Sequence, residues 1–342
     1  MAYTTINKPT LYFDTRLYTG TGAENVVSDL GFSPDFVWFK KRSDAEHHFV
    51  YDQPRGALKK IAPSNTNAET TETQTLKSFG TNGYTLGTSA EVNGGSTTYA
   101  AWNWKAGTTS GLSGGTITPT SYSINTTSGF GIYKYTGNGS NATIAHGLGS
   151  TPRMVIVKNT TDANNWAIYY NPAQGINGQE NRAIYFDTNG FRTSSTYWNG
   201  TAADSTVFNL GTTSIVNENA KGYVAYAFAD VTGYQKFCGW YANANADGPF
   251  IYTGFKPAFF MMFNINNSGR WMMADSKRNP FNEKDKKLSP ANTNAEATTS
   301  DIACDFLSNG IKIRGSSTSD INYGNLNMMY GLAIAAEPLV GS

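Results

Sequence analysis

The chain has 342 residues, 39% of them apolar and 15% charged, with a net charge of +1. Charge this sparse and balanced gives no electrostatic footprint for nucleic acid or an anionic membrane. No apolar run reaches the roughly 18–20 residues of a membrane helix, and the start MAYTTINKPTLYF lacks the basic and apolar regions of a signal peptide, so synthesis in a cytoplasm is expected.

In chain order, the first landmark is GFSPDFVWFK (31–40): glycine, apolar residue, proline, then a run of large apolar residues. DAEHHFVYD (44–52) follows, with the adjacent pair His47 and His48, and then the polar segment PSNTNAET (63–70). NAETTETQTLKSF (67–79) has room for one short helix or helical turn. Asn82-Gly83 is a turn signal leading into the alternating strand GYTLG (83–87), and the aromatic strand YAAWNWKA (99–106) closes the unit.

The same plan then returns twice. GLGSTPRMVIVK (147–158) and GFKPAFFMMF (254–263) repeat the proline landmark, making Pro34, Pro152 and Pro257 equivalent. Proline is tolerated at the first residue of a strand, where no ladder hydrogen bond need be donated. An aromatic precedes each landmark, at Phe13, Phe130 and Tyr234. Asn189-Gly190 and Asn309-Gly310 lead into GFRTS (190–194) and GIKIRG (310–315), and YVAYAFAD (223–230) and MYGLAIAAE (329–337) close the copies. PANTNAEA (290–297) repeats the polar segment almost letter for letter, and Trp166 and Trp271 take one slot that the first copy fills with His48.

Repetition of this kind marks stacked copies of one structural unit. Short aromatic and β-branched runs between turn signals, with no sustained helical stripe, predict an all-β chain. About 100 residues per copy suits a two-sheet module with one core. The expected architecture is three tandem antiparallel β-sandwich (jelly-roll or lectin-like) modules with little helix. The boundaries read as an N-terminal docking arm (1–15), module one (16–107), a Gly/Ser/Thr linker (108–116), module two (117–231) and module three (232–342). The linker predicts that module one pivots while modules two and three form one rigid body.

No catalytic constellation is visible: there is no G-x-S-x-G, H-E-x-x-H, phosphate-binding loop or dinucleotide fingerprint. Adjacent strand histidines point to opposite faces and make a poor metal chelate, and His146 reads as a hydrogen-bonded loop residue. Cys238 and Cys304 are expected as buried thiols. The expectation is a protein without catalytic residues, metal or cofactor. Aromatics at 13%, with seven tryptophans, leave binding open. Trp198, in TSSTYWNGTAAD (193–204), has no counterpart in the other copies. With Tyr197, Asn199 and Asp204, and with Phe281 of SKRNPFNEKDKK (276–287), it forms the candidate contact set: rings to stack on a ligand and polar side chains to orient it.

The stretches GFSPDFVWFKKRS, SNTNAE, GYTLGTSAEVN, YAAWNWKAG, YTGNGSNATIAHGLG and DGPFIYTGFKPAF together resemble a family of three-module proteins of tailed bacteriophages, especially those of marine bacteria and cyanobacteria. The resemblance spans essentially the whole chain. It implies a virion structural protein, tail-fibre-like or otherwise exposed on the particle, with lectin-like domains. The expected partners are other virion subunits, a homo-oligomeric assembly and a host surface glycan or protein, with no nucleic acid and no membrane insertion. A head-decoration or tail-assembly role is the alternative. The chain has no heptad run to build a coiled-coil shaft.

Overall fold

The computed structural model describes residues 4–171, 179–188, 191–265, 271–316 and 320–338, with the backbone alone at Phe191. Four strands make the main sheet of the first repeat: β1 (Phe13–Thr19), β2 (Phe36–Lys41), β3 (His48–Asp52) and β4 (Thr98–Trp104), in the antiparallel order β1-β4-β2-β3. Successive strand residues point to opposite faces, yet Phe36 through Lys40 and all of β3 are buried. Both faces of this sheet are therefore covered, which is why its strands read as continuous apolar runs rather than alternating ones.

One face lies against a smaller outer sheet of Asn25–Val27, Gly83–Leu86 and Leu76–Gly80, over a core that includes Val37, Phe39, Tyr51, Tyr84 and Leu86. Within the Asn-Gly signals the glycine serves close approach. A Cβ on Gly83 would sit 1.7 Å from the Val27 carbonyl oxygen, and one on Gly310 2.3 Å from that of Ile251.

The second repeat has β5 (Phe130–Thr136), β6 (Pro152–Asn159), β7 (Ala167–Tyr170) and β8 (Gly222–Ala229) in the same order. Ser121–Asn125 extends this sheet beyond β5, and Arg182–Tyr185 and Phe191–Thr193 extend it beyond β7. The third repeat has β9 (Gln235–Asn243), β10 (Phe255–Asn264), β11 (Trp271–Asp275) and β12 (Asn325–Pro338), again with the same order. The outer sheets are Ala142–Ala145 with Val207–Leu210, and Phe250–Tyr252 with Gly310–Ile313 and Cys304–Leu307. The protein is all-β and sandwich-like. Pairings Phe36↔Trp104, Met154↔Phe228 and Phe259↔Ile334 fix the equivalences between repeats.

The second face of every main sheet turns toward the other two repeats, around one shared aromatic core. Ring centroids of Phe36 and Tyr226 are 4.8 Å apart, those of Phe13 and Phe259 5.4 Å, and those of Phe186 and Trp271 4.5 Å. All three pairs of repeats thus meet, and the chain closes into a ring. Each such buried side chain contributes about 1.5–3 kcal/mol through lost apolar exposure, and edge-on aromatic pairs add about 0.5–1.5 kcal/mol.

Several expectations change. Module one does not hang on a hinge, because its sheet supplies Phe13, Phe36, Trp102 and Trp104 to the shared core. The N-terminal segment is not a free docking arm: Thr4 and Pro9 are buried, Ile6 joins the core, and β1 already begins at Phe13. No helix forms over 67–79, where strand pieces lie instead, and its counterpart holds only a short 3-10 turn, Ser300–Ile302. The first residue of β9 opposite Ile334 is Gln235, so Tyr234 matches Tyr12 rather than Phe13. Phe191–Thr193 is an added hairpin strand, and Val207–Leu210 takes the place of Gly83–Leu86. The turn Asn189-Gly190 lies outside the described residues. Pro152 opens its strand as expected, whereas Pro257 sits inside β10 between two register shifts, a bulge that dispenses with its missing N–H.

Candidate functional site

The residues that hold the ring together also build the site. At the start of β3 and β11, and just before β7, stand His48, Trp271 and Trp166 in one equivalent position. Trp166 Nε1 donates to the Ala62 carbonyl of repeat one at 3.0 Å, and Trp271 Nε1 to the Tyr185 carbonyl of repeat two at 2.8 Å. His48 faces the backbone of Ser289 in repeat three, but the shorter imidazole leaves Nε2 without a partner at bonding distance. Burial, with the nearby Lys40 charge in support, pushes the His48 pKa well below the usual range, so the ring is neutral. Its other nitrogen, Nδ1, accepts from Trp38 Nε1 at 2.9 Å.

The repeated polar segments are the clasps between repeats. Lys158 Nζ donates to the carbonyls of Thr66 (2.9 Å) and Asn164 (2.7 Å). Its equivalent Lys40 donates to Thr293 (3.2 Å) and Glu46 (2.8 Å). Thr66 and Thr293 are the same position of the two segments. Burial lowers both lysines to about 8.

The segment's glutamate reaches a buried arginine of its own repeat. Arg55 Nη1 lies 3.1 Å from Glu69, and Arg278 Nη1 3.1 Å from Glu296. Each arginine also holds an aspartate, Asp52 at 2.6 Å and Asp275 at 2.5 Å. Those aspartates accept bonds across the ring, from Tyr226 OH at 2.7 Å and Trp102 Nε1 at 3.1 Å. Arg42 adds a two-pronged contact to Glu296 at 2.7 and 3.1 Å. Burial opposes the Glu296 charge, but the hydrogen bond from Arg42 and the charges of both arginines outweigh it and hold its pKa below the ordinary value.

Among the described residues, the seam between repeats two and three keeps the Trp271 bond but has no such clasp. Phe263 stands where the clasp lysine would be, Tyr170 in place of the aspartate and Leu332 in place of Trp102. The rings of Tyr170, Phe263 and Tyr330 pack within 4.7–5.3 Å of one another instead.

Beside each clasp segment lies an open cleft, of about 210 Å³ in repeat one and about 260 Å³ in repeat three. The two are lined by equivalent residues. Asn65, Asn67 and Ala68 match Asn292, Asn294 and Ala295, and Ile61 matches Leu288 on the floor. A lysine sits in each, held by a carboxylate from a neighbouring loop. Lys60 Nζ is 2.8 Å from Glu91, and Lys287 Nζ 2.7 Å from Asp320, with Glu72 and Asp301 as second acids at 3.8 and 3.3 Å. His47 and Phe49 complete the first cleft, where Lys60 also lies 4.9 Å over the Phe49 ring.

The contact set read from the sequence does not assemble. Trp198 is 1% exposed and Tyr197 is buried, both inside the outer core of repeat two. Trp198 Nε1 donates to the Arg182 carbonyl at 2.7 Å and its ring meets Tyr169 edge-on. A unique loop had marked Trp198 as exposed, yet the loop folds inward because the indole fills the space beneath it. Asn199 is half-buried in a left-handed turn. Asp204 is exposed and accepts from Thr206 and Val207 in its own loop, bonds that keep its pKa low. Phe281, on a different repeat, is 80% exposed.

His146 is buried, with Nε2 3.1 Å from the Asp204 carbonyl. Cys238 and Cys304 are free, buried thiols, and burial raises Cys238 to about 12. Among the described residues no group of three His, Cys, Asp or Glu side chains is placed to hold a metal, and no helix is long and apolar enough to cross a membrane.

Sequence reading missed the clefts and one further device. Asn93, Asn217 and Asn322, all fully buried, pin a loop in each repeat by donating to the carbonyls of Gly87, Gly211 and Gly315 at 2.7, 3.1 and 2.8 Å. The signal was present in the shared asparagine, six residues after a glycine in the first two copies and seven in the third.

The sequence profile of a family described as a domain of unknown function (DUF7483) matches residues 8–338, so the chain belongs to that family. No curated protein matches it.

Proposed function

We propose that this member of the DUF7483 family is a non-enzymatic structural protein of a bacteriophage particle. In this reading it is exposed on the virion as a tail-fibre-like appendage or adhesin that contacts the host surface. The resemblance of its landmark stretches to phage three-module proteins supplies the context. The observation that carries the binding role is the pair of equivalent open clefts, built by two of three interlocked repeats on one rigid scaffold. Binding groups held on rigid elements lose little entropy on capture. Other virion subunits, further copies of the chain and a host surface glycan or protein are its partners.

A second reading, a head-decoration or tail-assembly role without host binding, draws on another feature. Phe250 and Tyr252 are 45% and 50% exposed on one outer strand of repeat three, as a subunit contact would require. Cryo-electron microscopy of intact particles and binding of purified protein to host cells separate the two. Location at the tail together with cell binding supports the adhesin. A position buried among head subunits, with no cell binding, overturns it.

A further inference from the structure

Resting on the adhesin reading and deepening it, we propose that the two clefts are duplicate binding sites for a neutral, hydroxyl-rich ligand, a saccharide without acidic groups, so that one chain holds two.

The central strands and the pinned loop form without these residues. Repeat two builds the same four central strands and the same pinned loop, with an added hairpin where the other two pair Lys59–Lys60 with Thr70–Thr71 and Lys286–Lys287 with Ala297–Thr298, yet it places Ala183 where repeats one and three have lysine and Ile215 where they have the acid. It also lacks the asparagine-bearing segment. Lysine, acid and asparagines are present together twice and absent together once.

Part of the segment is accounted for by the clasp: the threonine carbonyl, the glutamate, and the first asparagine, whose Oδ1 accepts from the backbone two residues on at 3.0 Å in both copies. The second asparagine is not. Asn67 and Asn294 are exposed, and among the described residues neither side chain has a hydrogen-bond partner. An exposed turn would accept serine, aspartate or glycine equally well. Both copies nevertheless keep asparagine, while their neighbours have diverged from Ser64 to Ala291 and from Thr70 to Ala297.

The chemistry of the lining selects the ligand. Each cleft offers an ammonium and amide N–H groups as donors, with carboxylate and amide oxygens as acceptors, over a small apolar floor of isoleucine or leucine and alanine. Paired donors and acceptors of this kind satisfy a hydroxyl, which both gives and takes a hydrogen bond. One lysine faces two carboxylates in each cleft, so the local charge is negative and an anionic ligand is repelled. The volumes admit a single pyranose ring, with the chain continuing into solvent.

The test uses the full-length protein on an array of immobilised neutral oligosaccharides (glucans, galactans and N-acetylglucosamine oligomers) beside polyuronates, followed by calorimetric titration with the best neutral sugar. The expected result is two equivalents per chain for the wild type, one for Asn67→Ala or Asn294→Ala, and none for the double variant. Thermal melting should stay unchanged, because neither side chain bonds in the free protein. Absence of binding to any neutral sugar, preference for polyuronates, or full stoichiometry in the double variant overturns the inference. Two-site binding by a protein absent from the particle would instead remove the adhesin reading and leave this inference standing. A protein on the tail with empty clefts would do the reverse.

Discussion

Replacing Glu296 with glutamine removes a charge that two repeats share. The carboxylate is 11% exposed and accepts from Arg278, itself buried, and from Arg42 of another repeat at 2.7 and 3.1 Å. Breaking a fully buried pair costs about 3–5 kcal/mol because the surviving charge is uncompensated. Here Arg278 keeps Asp275 at 2.5 Å and the carbonyls of Lys286 and Met273, and Arg42 is a fifth exposed. Both lower the cost, to about 2–3 kcal/mol.

Glu69→Gln is the internal control. It removes only the contact to Arg55 and a long one of 3.8 Å to the exposed end of Lys59, and no arginine of another repeat is involved. Its cost should be about 1 kcal/mol. Urea unfolding followed by tryptophan fluorescence measures both. A cycle combining Glu296→Gln with Arg42→Ala should give a coupling of about 1–2 kcal/mol. Equal costs for the two glutamates, or strict additivity with Arg42→Ala, would refute the claim that this contact ties repeat three to repeat one.

Three further outcomes follow from the same geometry. Lys40 has a folded pKa of about 8, below its unfolded value of about 10.4, so the unfolded chain holds more protons between those limits. The stability advantage of wild type over Lys40→Met should therefore rise between pH 8 and 9.5, by up to about 1.4 kcal/mol per pH unit, and a flat difference in urea midpoints would count against the buried ammonium. Trp198→Ala should destabilise the protein by about 3–5 kcal/mol as a core truncation, and a variant with wild-type melting would return Trp198 to the surface. Limited proteolysis should cut first in the exposed stretch 107–116, yet the nicked fragments should co-elute on native size exclusion, because the shared core and clasps hold them. Separation of the fragments would restore the pivoting module.

What the sequence made legible was what one strand can show by itself. The apolar runs at Phe36–Phe39, Met154–Val157 and Phe259–Phe263, the closing strands and the shared Trp or His slot all lie where their patterns place them. The ring was not legible, because its determinants are pairings across distant residues. Nothing near Lys40 announces Thr293, and nothing near Trp271 announces the Tyr185 carbonyl. Trp198 misled for a related reason. A residue without a counterpart reads as a surface addition, but repeat two extended its main sheet past β7, and the indole packs beside that extension with its N–H on Arg182.

The pattern of divergence also explains why the polar segment survives twice and not three times. A clasp needs a buried lysine on one repeat and a segment carbonyl on its neighbour, and either partner alone is a liability. A buried ammonium without acceptors costs several kcal/mol, and an unfilled carbonyl costs about 1–3 kcal/mol. The two must therefore be lost together. At the seam where repeat two lacks the segment, repeat three carries Phe263 instead of lysine, and Tyr170 replaces the aspartate that a buried arginine would have held. The aromatic packing of Tyr170, Phe263 and Tyr330 fills the place of the clasp at that seam, beside the hydrogen bond from Trp271 to the Tyr185 carbonyl. Ring closure thus tolerates either chemistry. The clasp accounts for the threonine and glutamate of the segment, and leaves its exposed asparagine to the cleft.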